Sequence, residues 1–283
     1  MITLVAMASA SLLAAMAPGQ TVRLPAGEHE LVQIRGKRFD PPVTIVADGA
    51  IVRGVQMWDS AGIIWRGGVI MAPTGMGENG PNAWGVDARR VQGVRFENVT
   101  VTSARLAMIF SDSRGIVVRD STFTGLRSDG LNIVSTSDVL VEKNVFTNFK
   151  PTKATGSKAD GTWKDGDHPD AIQMWVNKPT DAMSDVTIRN NVVDGDTQGI
   201  STFGPTGRGH SRIHILNNRL RVKYPAGAVL VDCTDCSIRG NVVETIPGAP
   251  YRAHIWLNKS PTAIVCGNDV KAFPDHMAEK KCR

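Results

Sequence analysis

Aromatic residues are scarce in this chain of 283 residues, at 6% of the total. No segment interleaves aromatic with basic side chains, which argues against a nucleic-acid-binding protein although the net charge is +5 and the pI about 9.1. Helical periodicity is also missing and the apolar segments are short, which excludes a globular α/β fold. Since no linker divides the chain, we expect one main domain.

Long apolar stretches are limited to the N-terminal segment 1–17, which has two interpretations. The segment is typical of the apolar region of a signal peptide, but it lacks a basic n-region, and Pro18 is a poor residue after a cleavage site. It is short for a membrane span, and we expect none. Alternatively, Ala10 to Ala17 forms a short N-terminal capping helix over the open end of a sheet. We favour export and predict a periplasmic or secreted protein.

Cysteine is rare as well, with four residues. Cys233 and Cys236 form a C-x-x-C that lies between predicted strands, whereas a redox C-x-x-C normally opens a helix. Cys266 and Cys282 are too far apart for a paired zinc-ligand motif. We therefore predict two disulfides, Cys233–Cys236 and Cys266–Cys282, the second of which pins the C-terminal tail. Disulfides also favour export.

What the chain does contain is a repeat. A small polar residue recurs in similar short segments, at Asn98, Asp120, Asn144, Asn191, Asn218, Asn241 and Asn268. The steps between these positions are about two dozen residues, apart from one double step after Asn144, and such a period indicates a solenoid. Each segment follows a short alternating strand such as Val139-Leu140-Val141.

We predict an all-β protein, a single-stranded right-handed parallel β-helix of about ten turns that spans residues 18–283. Asn tolerates the bent backbone at a corner, and its amide can bond to the Asn of the next turn. Ordinary Asn-containing turns of a β-sandwich are the alternative, but they predict irregular spacing and Gly-rich hairpins, and neither is prominent. Scattered basic residues favour an acidic partner.

The double step holds an insertion at about 149–167, and insertions in a solenoid emerge on one face, commonly the binding face. Aligning the turns by their Asn positions stacks Asp129, Asp170 and Gln198 at the start of one strand face. Neighbouring strands lie about 4.8 Å apart. Two carboxylates held that close repel each other and raise one pKa, which gives an acid and a base, or they share a cation.

Side chains from the same turns and from the insertion are expected to converge on this pair. They are Arg127, Asn132, Trp163, Lys164, Asp167, His168, Gln173, Trp175, Arg208 and His210. Some of these have a purely structural alternative: Asp129 can be a turn residue, His168 a cap, Trp175 packing for the insertion, and the insertion's lysines solvated.

The chain resembles bacterial right-handed parallel β-helix repeat proteins. Asp129-Gly130, His168-Pro169-Asp170 and Gly209-His210 look like a loose version of the catalytic face of polygalacturonases. The coil as a whole is similar to pectate and alginate lyases and mannuronan epimerases. The polygalacturonase pattern implies a paired Asp-Asp, and its second Asp is missing here, which disfavours hydrolysis with inversion.

The resemblance implies a polysaccharide lyase that cleaves an acidic, uronic-acid-containing polysaccharide by β-elimination. Asp129, Asp170 and Asp167 would bind calcium, the one cofactor we expect, or neutralise the substrate carboxylate, and Arg127, His168 or Lys164 would accept the C5 proton. Substrate binding is assigned to Asn132, Gln173, Trp175, Gln198, Arg208, His210 and Trp163. The alternatives are a glycoside hydrolase that uses Asp129 and Asp170, and a non-catalytic polysaccharide-binding or adhesin module. We expect a monomer that binds no nucleic acid.

Overall fold

The computed structural model describes residues 16–73, 76–77, 80–204 and 208–271, and short strands make up most of them. In chain order the strands are β1 Thr21–Arg23, β2 Gly27–His29, β3 Val32–Arg35, β4 Arg38–Val46, β5 Ala50–Arg53, β6 Val55–Trp58, β7 Ala61–Arg66, β8 Val69–Met71, β9 Met76–Gly77, β10 Gly80–Pro81, β11 Trp84–Arg89, β12 Gln92–Glu97, β13 Thr100–Thr102, β14 Leu106–Ser111, β15 Arg114–Arg119, β16 Thr122–Thr124, β17 Leu131–Val134, β18 Ser137–Glu142, β19 Val145–Thr147, β20 Asp170–Trp175, β21 Ser184–Arg189, β22 Val192–Gly195, β23 Gln198–Thr202, β24 His210–Leu216, β25 Arg219–Val222, β26 Ala226–Val231, β27 Cys233–Thr234, β28 Ser237–Arg239, β29 Val242–Thr245, β30 His254–Asn258, β31 Ile264–Cys266 and β32 Asp269–Val270.

These strands form three long parallel sheets that the chain visits in turn. Sheet 1 has 11 strands, with the order β1-β4-β7-β12-β15-β18-β21-β24-β28-β31 and β27 paired to β24. Sheet 2 has 10 strands, β2-β5-β8-β13-β16-β19-β22-β25-β29-β32, and sheet 3 has nine, β3-β6-β11-β14-β17-β20-β23-β26-β30. Within these sheets each strand pairs with the strand one turn further along, so the predicted parallel β-helix of about ten turns is confirmed. Strands β9 and β10 form a separate antiparallel pair.

The core is a column of side chains that point inward from all three sheets. Alternation along each strand sends every second residue to the interior. Equal positions on successive turns therefore stack, and the rings of Phe123 and Phe146 lie face to face with centroids 4.5 Å apart. Trp65, Phe96 and Phe110 continue the buried aromatic column on earlier turns.

Buried asparagines form a ladder at the corner between sheets 1 and 2. Asn191 Nδ2 donates to Asn218 Oδ1 at 2.9 Å, and Asn218 Nδ2 donates to Asn241 Oδ1 at 2.9 Å. Each Asn Oδ1 also accepts the backbone N–H of the preceding ladder residue, as in Asn191 N to Asn218 Oδ1 at 2.9 Å. The ladder runs from Asn144 to Asn268, so the predicted bonding between turns is confirmed there.

The two N-terminal positions of the predicted repeat were placed one residue too early. Strand pairing aligns Thr100 with Thr122 and Val145, which makes Val99 and Ser121 the equivalents of Asn144. Asn98 and Asp120 instead occupy the corner position before the ladder, with φ of 54° and 52°. Asn and Asp tolerate this left-handed backbone, which accounts for their presence before the ladder. The ladder asparagines themselves do not have a positive φ, so the predicted bent backbone lies one residue earlier and the ladder position selects Asn for its hydrogen bonds.

The predicted ends of the coil lie partly beyond the described residues. Residues 1–15 and Cys282 are among those not described, so the cap or signal segment and the Cys266–Cys282 disulfide stay predictions. The part of the chain that the structure describes contains no helix, and the proposed cap helix has no support there. It also contains no helix long and apolar enough to cross a membrane. The predicted Cys233–Cys236 disulfide is present.

Replacing a ladder residue tests the corner assignment. Asn218→Ala removes the acceptor of the Asn191 backbone N–H and leaves the Ile188 carbonyl without its donor. We expect the free energy of unfolding to fall by about 2–4 kcal/mol in denaturant titrations. The matched control is Asn98→Gly, since Gly adopts a positive φ freely and should change stability by less than about 0.5 kcal/mol. Equal losses in the two variants would contradict the assignment.

Candidate functional site

Sheet 3 carries a repeated local motif, in which a side chain that faces outward precedes a small residue at the start of the strand. Asp129 precedes Gly130, Asp170 precedes Ala171, and Gln198 precedes Gly199. A Cβ at Gly130 would lie 2.4 Å from the Ala171 carbonyl oxygen, which no side chain permits. The small residues therefore let successive turns approach closely, and the residues before them stack on the side of the sheet that faces away from the core.

The two carboxyl groups meet across adjacent turns. The Asp170 backbone N–H donates to Asp129 Oδ1 at 3.0 Å. Asp129 also accepts from Asn132 Nδ2 at 3.2 Å, and Asp170 Oδ2 accepts from Gln173 Nε2 at 3.2 Å and, weakly, from Gln198 Nε2 at 3.5 Å. The structure thus brings together five of the residues that the sequence analysis selected.

Burial differs between the two acids and sets their electrostatics. Asp170 is 1% exposed, and its Oδ1 has no hydrogen-bond partner among the described residues. Removal from water, followed by repulsion from Asp129, raises the pKa of Asp170 well above its usual value. Asp129 is half-buried, and burial raises its pKa too, against the hydrogen bonds it accepts. The pair therefore combines a fully covered acid with one that is less completely buried, and burial raises both pKa values.

Two neighbours of this pair were not selected from the sequence. Arg105 lies beneath Ser128, whose backbone N–H donates to the Arg105 carbonyl at 2.7 Å, and its exposed positive charge lowers the pKa of Asp129. Ser201 lies close enough to stabilise ionised Asp170, although its buried hydroxyl makes no well-directed hydrogen bond within the described part of the chain. Only the pairing of successive turns brings either residue to the site, and no local sequence motif marks them.

An apolar patch adjoins the acids on the same outward face. Leu106, Ile109 and Val134 form a small buried cluster, and Trp84 and Trp175 pack against it from the side of the solvent. Trp175 follows Gln173 by two residues and faces outward as expected, but much of its surface packs on the cluster. Trp175 therefore has the structural packing role that was the alternative to substrate binding.

Arg127 and Asp167 pair with each other instead of joining the acids. Arg127 Nε and Asp167 Oδ2 lie 2.9 Å apart, and the second nitrogen–oxygen contact is 3.1 Å. Asp167 Oδ2 also accepts the Thr152 backbone N–H at 3.0 Å, and Arg127 donates to Asn82. This half-buried ion pair ties the base of the insertion to the coil and to the connection between β8 and β11, a second excursion that the sequence analysis did not identify.

The other candidates from the insertion lie on its surface. The His168 side chain is 70% exposed, and its Nε2 lies 3.2 Å from Asp165 Oδ1. Lys164 pairs with Thr155 in an isolated bridge, and the ring of the exposed Trp163 stacks beneath the Lys158 ammonium at 5.2 Å. None of the hydrogen bonds found in the described residues connects these side chains to Asp129 or Asp170.

His210 and Arg208 lie at the opposite edge of sheet 3, at the corner to sheet 1. His210 is 1% exposed, and its Nδ1 accepts the Met183 backbone N–H at 3.2 Å, as the Ser113 hydroxyl accepts from Val91 on an earlier turn. Burial lowers the pKa of His210, which keeps the imidazole neutral for this acceptor role. Arg208 lines a separate groove at that corner. The predicted convergence of these two residues on the acids is not found.

Asp167 is committed to Arg127, so the predicted calcium ligands do not meet as a set of three. Within residues 16–73, 76–77, 80–204 and 208–271, no group of three or more Asp, Glu, His or Cys side chains is arranged to hold a metal ion. Calcium binding stays a prediction, and no chemical step below depends on it.

Comparison with known proteins identifies the architecture. Residues 82–272 match the family model described as "right handed beta helix region". A search of curated proteins finds no match.

Three solved structures show some similarity to this chain: a tailspike protein, an exopolygalacturonase and a surface adhesin. The Dettilon tailspike protein is 11% identical with a TM-score of 0.39, over 93% of this chain and 57% of that one. The family 28 exopolygalacturonase of Yersinia enterocolitica is 13% identical with a TM-score of 0.38, over 91% and 74%. PfbA, a surface adhesin of Streptococcus pneumoniae, is 11% identical with a TM-score of 0.38, over 95% and 89%. This chain therefore spans little more than half of the tailspike, and any function must be argued from its own residues.

The buried acid pair predicts an unusual pH dependence of stability. A carboxyl whose pKa is raised by folding keeps its proton to a higher pH in the folded than in the unfolded chain, so the free energy of unfolding falls as the pH rises from about 4 to the raised pKa. One such proton contributes a slope of up to about 1.4 kcal/mol per pH unit. Asp170→Asn, which cannot ionise, should flatten this dependence in denaturant titrations at a series of pH values.

The control for this experiment is Asp120→Asn, at an exposed corner where Asn also tolerates the backbone. It should retain the slope of the wild type. Identical slopes for Asp170→Asn and the wild type would contradict the raised pKa of Asp170.

Proposed function

Since the chain belongs to the right-handed β-helix family, we propose that it is a carbohydrate-active enzyme that cleaves a uronic-acid-containing polysaccharide by β-elimination. The observation that supports this most is that Asp129, which is less buried than Asp170, has a pKa raised by burial and lies within electrostatic reach of the exposed Arg105. An elimination of this kind needs one accessible base and one cation that neutralises the substrate carboxylate.

Asp129 is the proposed base. Burial moves its pKa upward, toward the range in which a carboxylate accepts a proton readily at neutral pH. Asn132 Nδ2 and the Asp170 backbone N–H hold its two oxygens in place at 3.2 and 3.0 Å. In the proposed step Asp129 takes the C5 proton, the C5–H electron pair becomes the C4–C5 double bond, and the C4 oxygen leaves and is protonated by water.

Arg105 is the proposed neutralising cation, since a guanidinium pairs well with a carboxylate and acidifies the adjacent C5–H. Asp170 has a positioning role, because at 1% exposure it contacts no substrate, and its backbone N–H orients Asp129. Gln173 and Gln198 support Asp170 in turn. Arg127 anchors the insertion, and His168 and Lys164 have no chemical role in this proposal.

Hydrolysis is the second candidate. Carboxyl groups on adjacent turns lie at about the strand spacing of 4.8 Å, near the separation of about 5–5.5 Å typical of retaining glycosidases. Such a mechanism needs both groups to reach the sugar, however, and the burial of Asp170 disfavours it. A binding or adhesin module would use the same surface without forming any product.

The proposed partner is an acidic polysaccharide outside the cytoplasm. The Cys233–Cys236 disulfide supports an oxidising compartment, and the net charge of +5 supports a polyanionic ligand.

Digestion of a panel of uronic-acid polymers tests the proposal. We expect products with an unsaturated end that absorbs in the ultraviolet, and Asp129→Asn should lower kcat by about 10²–10⁴-fold because the base is lost. Arg105→Gln should lower kcat/KM, and Asp120→Asn, away from the site, should have no effect. Both site variants should retain the unfolding transition of the wild type within about 1 kcal/mol.

The products separate the candidates. New reducing ends without ultraviolet absorbance would show that the reaction is hydrolysis and not elimination. If the polymer binds without any product and Asp129→Asn leaves the affinity unchanged, the protein is a binding module and not an enzyme.

A further inference from the structure

The outer face of sheet 1 carries two adjoining grooves that are distinct from the acid pair on sheet 3. The first, of about 670 Å³, lies at the corner between sheets 3 and 1 and is lined in part by Gln92, Arg114 and Ser137. The second, of about 720 Å³, begins at the residues that follow these in the chain, Gly93, Gly115 and Asp138. The two grooves therefore form one continuous depression across strands β12, β15 and β18.

Arginines surround this depression, and two of them act on aspartates nearby: Arg114 lowers the pKa of Asp185, and Arg38 that of Asp59, each in addition to the direct hydrogen bond from another arginine. Arg38, Arg114 and Arg208 line the first groove and Arg95 lines the second. Their side chains make no hydrogen bond or ion pair with any residue that the structure describes. Other arginines at its edge are neutralised, as Arg212 is by Asp185, with contacts of 2.6 and 3.0 Å. Acids also line the grooves, Asp112 and Asp181 in the first and Asp138 and Asp185 in the second, but arginines outnumber them in both. This excess of positive charge favours an anionic ligand.

The floor of the depression lets a ligand approach the backbone. Gly93 and Gly115 have φ of 61° and 70°, and a Cβ at Gly93 would meet only the Gly62 nitrogen, at 3.9 Å. Half-buried Val117 and Leu140 provide an apolar strip next to the glycines. A flat, partly apolar floor with cations at its rim suits a sugar ring that carries an acidic group.

We propose that this depression binds an acidic polysaccharide through the carboxylate or sulfate groups of the polymer, as a second site remote from Asp129. The described lining residues of both grooves include no Phe, Tyr or Trp on which nucleic-acid bases could stack, which favours a glycan over a single-stranded nucleic acid. This site goes beyond the proposed reaction and holds a polymer whether or not Asp129 cleaves it.

The test is calorimetric titration of the full chain carrying Asp129→Asn, so that no ligand is consumed. The probes are polygalacturonate, dextran sulfate, neutral dextran and single-stranded DNA, each at several salt concentrations. Arg95→Ser with Arg114→Ser should weaken binding of the acidic glycans about tenfold and lower the slope of log K against log salt by about 1–2. The control, Arg23→Ser with Lys143→Asn, removes the same charge from exposed positions outside both grooves and should leave binding unchanged.

The outcomes decide the proposal and the nature of the acid. Arginine-dependent binding of polygalacturonate alone identifies carboxylate recognition, and that of dextran sulfate alone identifies sulfate recognition. Three results would overturn the proposed glycan site. Neutral dextran could bind as well as the acidic glycans, DNA could bind more tightly than either acidic glycan, or the arginine variant could bind as well as its parent. Because catalysis is disabled, these results are independent of the digestion experiment: binding with no cleavage by the wild type would remove only the proposed reaction.

Discussion

Register between successive parallel strands is the constraint on which the rest of this structure depends. Each turn lies one strand spacing above the last, so a side chain is forced against the residue at the same position of the next turn. Where that residue is Asn, as from Asn144 to Asn268, the contact is a hydrogen bond that satisfies a buried amide. Where it is Asp, at Asp129 and Asp170, the contact is a repulsion that burial intensifies.

The same constraint separates the two acids by function. Asp170 is almost completely buried and its pKa is raised well above the usual value, whereas Asp129 is less completely buried. One buried acid next to a less buried one is suited to a mechanism with a single base, and less suited to a mechanism that requires two accessible acids. Arg127 and Asp167 contribute indirectly, because their ion pair fixes the insertion that borders the site.

Much of the architecture could be predicted from the sequence, because the Asn repeat reports a packing contact directly. The stacking of Asp129, Asp170 and Gln198 followed from the same alignment, and the small residue after each explains why they face outward. The positions of His210 and Asp167 could not be predicted from the sequence. His210 accepts a hydrogen bond from a buried backbone N–H, and Asp167 forms an ion pair with Arg127. Arg105 was missed because only the pairing between turns places it near Asp129.

The most direct test of this account is a carbon-13 NMR titration of the side-chain carboxyl carbons of the full chain. The account predicts that Asp170 stays protonated well above the ordinary range of an aspartic acid, and that Asp129 titrates at a lower pH than Asp170 but above that range. Two aspartates that ionise together in the ordinary range, near pH 4, would contradict it. In that case neither the burial of Asp170 nor its repulsion by Asp129 would govern the chemistry of the site.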